Sequence, residues 1–137
     1  MARRSRLTLT VVALAALATT ATPAASAAAA PARLDLPPGV IKLNDSERCP
    51  MATLCLYQHY NRRGPAYGIG AGYQVDLREL PMNGGTAANN VSSWVNNTDT
   101  LAVLIDEDTG TARPLFPRQQ LEEPPPYNDT VDQVDWA

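Results

Sequence analysis

Two cysteines six residues apart open the run Cys49-Pro50-Met51-Ala52-Thr53-Leu54-Cys55-Leu56-Tyr57, and 34 residues after the second comes Asn89-Asn90-Val91-Ser92-Ser93-Trp94. A second Asx-rich segment, Tyr127-Asn128-Asp129-Thr130-Val131-Asp132, echoes the first 39 residues further on. Like segments at a fixed spacing signal a repeated supersecondary unit. The chain is thereby constrained to a fold of two similar halves.

The N-terminus belongs to neither half. Arg3, Arg4 and Arg6, an apolar run from Leu7 to about Leu17, and the small residues Ala25-Ser26-Ala27 have the order of a secretory signal peptide. Residues 1–27 are expected to be removed after Ala27 by the general secretory route, leaving an extracellular protein. The apolar run is shorter than the roughly 20 residues a membrane span needs, and no later segment approaches it, so no membrane association is expected. The signal takes three of the 11 basic residues and none of the 14 acidic ones, leaving a net charge of minus six. Such a surface repels phosphate backbones, and nothing longer than Arg62-Arg63 offsets it, which argues against nucleic acid as a partner. Residues 28–47, rich in Ala and Pro as far as about Pro38, read as a disordered leader. Residues 48–137 read as one small domain, expected to act as a monomer.

An even pair of cysteines in an exported chain is most simply a disulfide, and Cys49 with Cys55 closes a loop of seven residues. The alternative, a zinc site, lacks ligands: two cysteines and the single His59 do not complete a four-ligand shell without carboxylates from elsewhere.

Short apolar or alternating runs between Gly, Pro, Asn and Asp clusters predict an all-β domain. Strands are expected over Leu54 to Tyr60, Tyr67 to Val75, Trp94 to Asn97 and Leu101 to Ile105, the last two meeting at Asn96-Asn97-Thr98-Asp99. Ala112 to Phe116 is a further strand interrupted by Pro114, and the tail Val131 to Trp136 is expected to close the sheet.

These residues resemble a βγ-crystallin-type Greek key, in which a strand aromatic is followed by Asn and Gly and later by an Asx-Asx-x-x-Ser/Thr-Ser loop. The first half supplies Tyr57, Asn61 and Gly64, with Arg62 where an aromatic is usual, and then the loop at Asn89. The second supplies Val103 and Gly110 at the same spacing, then Asn128 to Gln133. The resemblance implies a βγ-crystallin-like sandwich of two Greek keys. More narrowly, Cys-Pro-x-x-x-x-Cys-Leu-Tyr with Ser-Ser-Trp-Val-Asn-Asn-Thr resembles the secreted actinobacterial metalloproteinase-inhibitor family, over about Arg48 to Trp136. The family's inhibitory type presents a substrate-like loop held by a second disulfide, and this chain has no cysteine after Cys55.

The resemblance implies an extracellular, thermolysin-like metalloprotease as partner. The segment best suited to meet it is Arg113-Pro114-Leu115-Phe116-Pro117, where prolines limit the backbone and Leu115 and Phe116 could fill an apolar subsite. In the competing reading Leu115 and Phe116 are core residues of an ordinary strand. The alternative function is a non-inhibitory module that binds calcium or, like killer-toxin relatives of the fold, a cell-surface target. No cofactor is required, but Asn89, Asn90, Ser93, Asn128, Asp129 and Asp132 offer the oxygen ligands that a hard cation takes. If Ser92-Ser93 fixes the register of the first loop, Ala88 stands where its first Asx should be; if Asn89-Asn90 does, Trp94 takes the place of its last serine. Without a metal, the same side chains cap turns.

Catalysis is not expected. His59 is the one histidine and sits in a strand, and the carboxylates of Asp106-Glu107-Asp108 and Glu122-Glu123 read as solvated loops. A domain of this size leaves little room for a cleft.

Overall fold

Runs of alternating apolar residues become strands wherever Gly, Asn or Pro ends them. The computed structural model describes residues 29–30 and 33–137, so the signal segment expected over 1–27 lies outside the described residues. Arg33–Ala137 forms one compact unit. Its strands are β1 (Val40–Leu43), β2 (Thr53–His59), β3 (Arg63–Gly70), β4 (Val75–Asp76), β5 (Pro81–Met82), β6 (Gly85–Thr86), β7 (Ser93–Asn96), β8 (Ala102–Asp106), β9 (Thr111–Leu115), β10 (Gln120–Glu122) and β11 (Gln133–Trp136).

Pairing is antiparallel throughout, giving one sheet in the order β1-β3-β2-β7-β10, a second in the order β4-β11-β8-β9, and a small β5-β6 hairpin. The first Greek key is β2, β3, β4 and β7, and the second is β8 to β11. Each places its third strand, β4 or β10, in the sheet built mainly by the other. The all-β class is therefore as the sequence predicts, and the sandwich of two Greek keys is as the resemblance implies.

Side chains alternate across a strand, so Leu54 and Leu56 face the space between the sheets with Tyr67, Ile69 and Trp94. There they meet Leu104, Leu115 and Val134 from the second sheet. Each fully buried side chain of this kind contributes about 1.5–3 kcal/mol. Cys55 and Tyr57 point the other way, into a smaller cluster with Leu43, Cys49 and Ala66, edged by Val95. The Cys49–Cys55 disulfide is formed, with Cα atoms 5.7 Å apart. It clamps the 44–52 segment over the outer face of the first sheet. The Tyr57 hydroxyl donates to the Glu47 carbonyl at 2.8 Å, and Asn97 Nδ2 donates to the carbonyls of Cys49 and Pro50. Replacing both cysteines by serine is expected to lower stability by about 2 kcal/mol, the loop-closure value for so short a ring, read as a lower urea midpoint. An unchanged midpoint would mean that side-chain packing alone holds this segment.

Four expectations change. The leader does not reach residue 47: β1 pairs with β3 from Val40↔Ile69 to Leu43↔Ala66, and Leu43 is buried. The Tyr67 to Val75 strand is two, because Gly70 ends β3 and Val75 begins β4 in the other sheet. The Trp94 and Leu101 runs form no hairpin, since β7 and β8 lie in opposite sheets and the chain between them arches across the sandwich. Asn96, fully buried, holds the arch: its Oδ1 accepts from the Thr98 N–H and hydroxyl, and its Nδ2 donates to the carbonyls of Thr100 and Leu115. Finally, the tail does not close the sheet, because β11 runs inside it between β4 and β8.

Candidate functional site

The two Asx loops are bonded to each other through their backbones and settle each other's register. Asn89 and Asp129 both have a left-handed φ of 55°, which Asn and Asp tolerate better than other side chains. The Asn89 N–H donates to the Val131 carbonyl at 2.9 Å, and the Asp129 N–H donates to the Val91 carbonyl at 3.3 Å. Asn89 therefore matches Asp129, 40 residues on rather than 39, Ala88 matches Asn128, and Ser92 matches Asp132. The backbone agrees: the Ser92 N–H donates to Tyr57 O and the Asp132 N–H to Ile105 O. The counterpart of Tyr57 is thus Ile105, not Val103.

This register separates the loops as ligand sources. In the first, Ser93 is fully buried and its hydroxyl is used, donating to His59 O at 2.7 Å and accepting from the Arg62 N–H at 3.1 Å. Asn90 accepts from Gln58 and donates to Thr86 O. Ser93 and Asn90 are used in these bonds, Ser93 as a strut rather than a ligand, while the Ser92 hydroxyl reaches Asp129 Oδ1 of the second loop at 3.4 Å. In the second, Asp132 Oδ2 accepts from the Glu107 N–H at 2.9 Å, and carboxylate oxygens of Asp106, Asp108 and Asp132 all lie within 4.8 Å of one another. The Thr109 N–H, 3.0 Å from Asp106 Oδ1, holds that carboxyl below the ordinary carboxylate range. Asn128 Oδ1 is buried with no hydrogen-bond partner. Asp106 and Asp108 of the β8-β9 turn, which the sequence reading assigned to solvent, thus stand beside Asp132 as carboxylates.

The Arg113–Pro117 segment is a strand, not a loop, over its first three residues. Arg113 and Leu115 sit opposite Leu104 and Ala102 in the β8 ladder and share their inward face. Leu115 is fully buried in the core. Arg113 makes a two-pronged ion pair with Glu123, both contacts at 2.9 Å, and its guanidinium lies 4.6 Å from the centre of the Tyr127 ring. Glu123, read from sequence as solvated, is 2% exposed and also accepts from Trp94 Nε1 at 2.8 Å. Neither Arg113 nor Leu115 is available to a partner, because each is consumed inside the fold. Pro114 is exposed on β9, an edge strand, where the missing N–H costs the ladder nothing.

What remains is the turn Phe116-Pro117-Arg118-Gln119. The Gln119 N–H donates to the Phe116 carbonyl at 3.1 Å, with Pro117 second and Arg118 third at φ 62°, the pattern of a type II turn. Gln119 Oε1 accepts from the Phe116 N–H at 2.9 Å, and Arg118 spans to Asp99 at 2.8 Å and Asn97 Oδ1 at 2.9 Å. The turn is braced at both ends, with Phe116 56% exposed at its start. Arg118 and Gln119 were missed in the sequence, where only Pro117 signals the turn.

His59 is exposed at the end of β2, its ring packed over Gly64, where a Cβ would lie 2.6 Å from it. No helix among the described residues is long and apolar enough to cross a membrane.

Peptidase inhibitor family I36 matches residues 44–110. The solved structure described as "Evolution of the eye lens beta-gamma-crystallin domain fold" is similar over 72% of this chain and 96% of its own, with a TM-score of 0.57 and 24% identity. That likeness concerns the fold alone. Among curated proteins none matches the chain.

Proposed function

We propose, from the premise that this chain belongs to peptidase inhibitor family I36 through residues 44–110, that it is exported and blocks an extracellular metalloprotease of the thermolysin-like class as a monomer. As a member of that family it acts on a peptidase by binding and is not itself an enzyme. The observation that carries the finer reading is the braced Phe116–Gln119 turn. A large apolar side chain held outside the core by a rigid turn can enter an apolar subsite with little ordering cost. The contact differs from a cleavable substrate loop. The Leu115–Phe116 bond has one side chain locked in the core, and the Phe116–Pro117 bond lacks the N–H that a protease cleft uses. Titrating the exported protein against a thermolysin-like enzyme tests the reading, and failure to reach stoichiometric inhibition would sink it.

Calcium at the second loop is a further reading, favoured by the approach of Asp106, Asp108 and Asp132. Extracellular calcium modules work near 0.1–1 mM, so 10 mM calcium is expected to add about 1–3 kcal/mol to stability. The readout is the thermal midpoint with calcium against chelator, and Asp132→Asn should erase the difference. An unchanged midpoint in the unsubstituted protein removes the metal.

A further inference from the structure

Three arginines line a groove that the inhibitor reading leaves unexplained. On the outer face of the first sheet a cavity of about 580 Å³ opens between the disulfide-clamped segment Ser46 to Cys49, the β2-β3 hairpin tip Asn61 to Arg63, and Val95, Asn97 and Gln120. Arg78, Arg113 and Arg118 all reach carboxylates, whereas Arg48, Arg62 and Arg63 make no ion pair among the described residues. Glu47 is the one carboxylate in the lining, and it accepts from the Asn44 N–H and side-chain amide at 2.7 Å. A cationic groove on a chain of net charge minus three is not a by-product of composition.

The groove is also preformed. Asn61 and Arg62 are consecutive left-handed residues, with φ of 58° and 56°. Arginine in that conformation costs on the order of 1 kcal/mol, and such strain persists where the surroundings hold it. Here the Asn61 N–H donates to Glu122 Oε2 at 2.8 Å, the Arg62 N–H donates to Ser93, and the Arg62 guanidinium donates to Gln120. The opposite wall is fixed by the Cys49–Cys55 disulfide.

We infer that this groove binds an acidic peptide segment, with Arg48, Arg62 and Arg63 as the carboxylate-binding residues. The planar guanidinium fork accepts a carboxylate through two parallel hydrogen bonds. The volume lies within the range of small-ligand pockets and suits a few residues of extended peptide. Three cations on an acidic protein are too few for a nucleic acid, whose affinity rests on many phosphate contacts. The groove adjoins the Phe116 turn, because Asn97 in its wall accepts from Arg118 of that turn. A partner seated on the turn therefore has the groove within reach, yet the inference stands whether or not Phe116 makes the inhibitory contact.

The test is fluorescence anisotropy at low salt on the full exported protein with a labelled Gly-Glu-Gly-Glu-Gly-Glu peptide and its Gly-Gln counterpart. The acidic peptide is expected to bind at least tenfold tighter than the amide one and to weaken as salt is added. Arg48→Gln and Arg63→Gln, both at exposed positions, should each cost about tenfold and leave the urea midpoint unchanged. Equal binding of the two peptides, no binding of either, or full binding by the double variant overturns the proposal. Short-chain polyphosphate serves as a second probe. If it binds where the acidic peptide does not, the groove belongs to another polyanion and the proposal also falls.

Discussion

Phe116→Ala is expected to weaken inhibition of a thermolysin-like protease by roughly 30-fold or more, the scale of losing one anchoring side chain at about 2 kcal/mol. The ring is 56% exposed in the free protein, so its loss leaves the core intact and the unfolding midpoint should move by no more than about 0.5 kcal/mol. Stoichiometric titration separates this effect from misfolding, and Met51→Ala, 80% exposed on the disulfide loop, serves as the surface control. If Phe116→Ala titrates like the unsubstituted protein, the turn is not the contact. A loss of inhibition matched by Arg118→Ala would instead identify the brace as equally necessary, since Arg118 alone ties the turn to Asp99 and Asn97.

Glu123→Ala is expected to be the most destabilising single change, at about 3–5 kcal/mol. It leaves the Arg113 guanidinium, 18% exposed, without its carboxylate, and deprives the buried Trp94 N–H of its acceptor. For a domain of this size the loss corresponds to a fall in the thermal midpoint of about 15 °C or more. Glu123→Gln keeps an acceptor for Trp94 but not the ion pair, and should fall between. A midpoint within a few degrees of the original for Glu123→Ala would mean that water takes the place of the carboxylate.

The all-β class was legible because turn chemistry and strand alternation are local, and the sandwich followed from the resemblance carried by Cys49 to Tyr57 and the two Asx loops. Partners that the fold brings together were not. Glu123 stands before three prolines and looks solvated, and only the arrival of Trp94 from β7 and Arg113 from β9 makes its burial tolerable. Strand β1 has no legible signal, because four residues give too short a pattern and its pairing partner lies beyond the disulfide loop. In a strand, Leu115 and Phe116 of the candidate inhibitory segment face opposite sides, so both could never enter one subsite. The sequence also could not align the Asx loops, because Asn89 matches Asp129 through backbone bonds between loops, not through residue type.

The exchange of third strands between the two sheets bears on what happens when a protease does cut this protein. A break within Phe116–Gln119 leaves β9 in one sheet and sends β10 and β11 off on a separate fragment. That fragment remains laced into both sheets, through β10 on β7 and through β11 between β4 and β8. It is also fastened by the Glu123 contacts to Arg113 and Trp94. A nick at the exposed turn therefore yields two chains still assembled as one body, with the severed ends side by side. Such a product has no reason to leave the enzyme quickly, and resealing the bond requires no search.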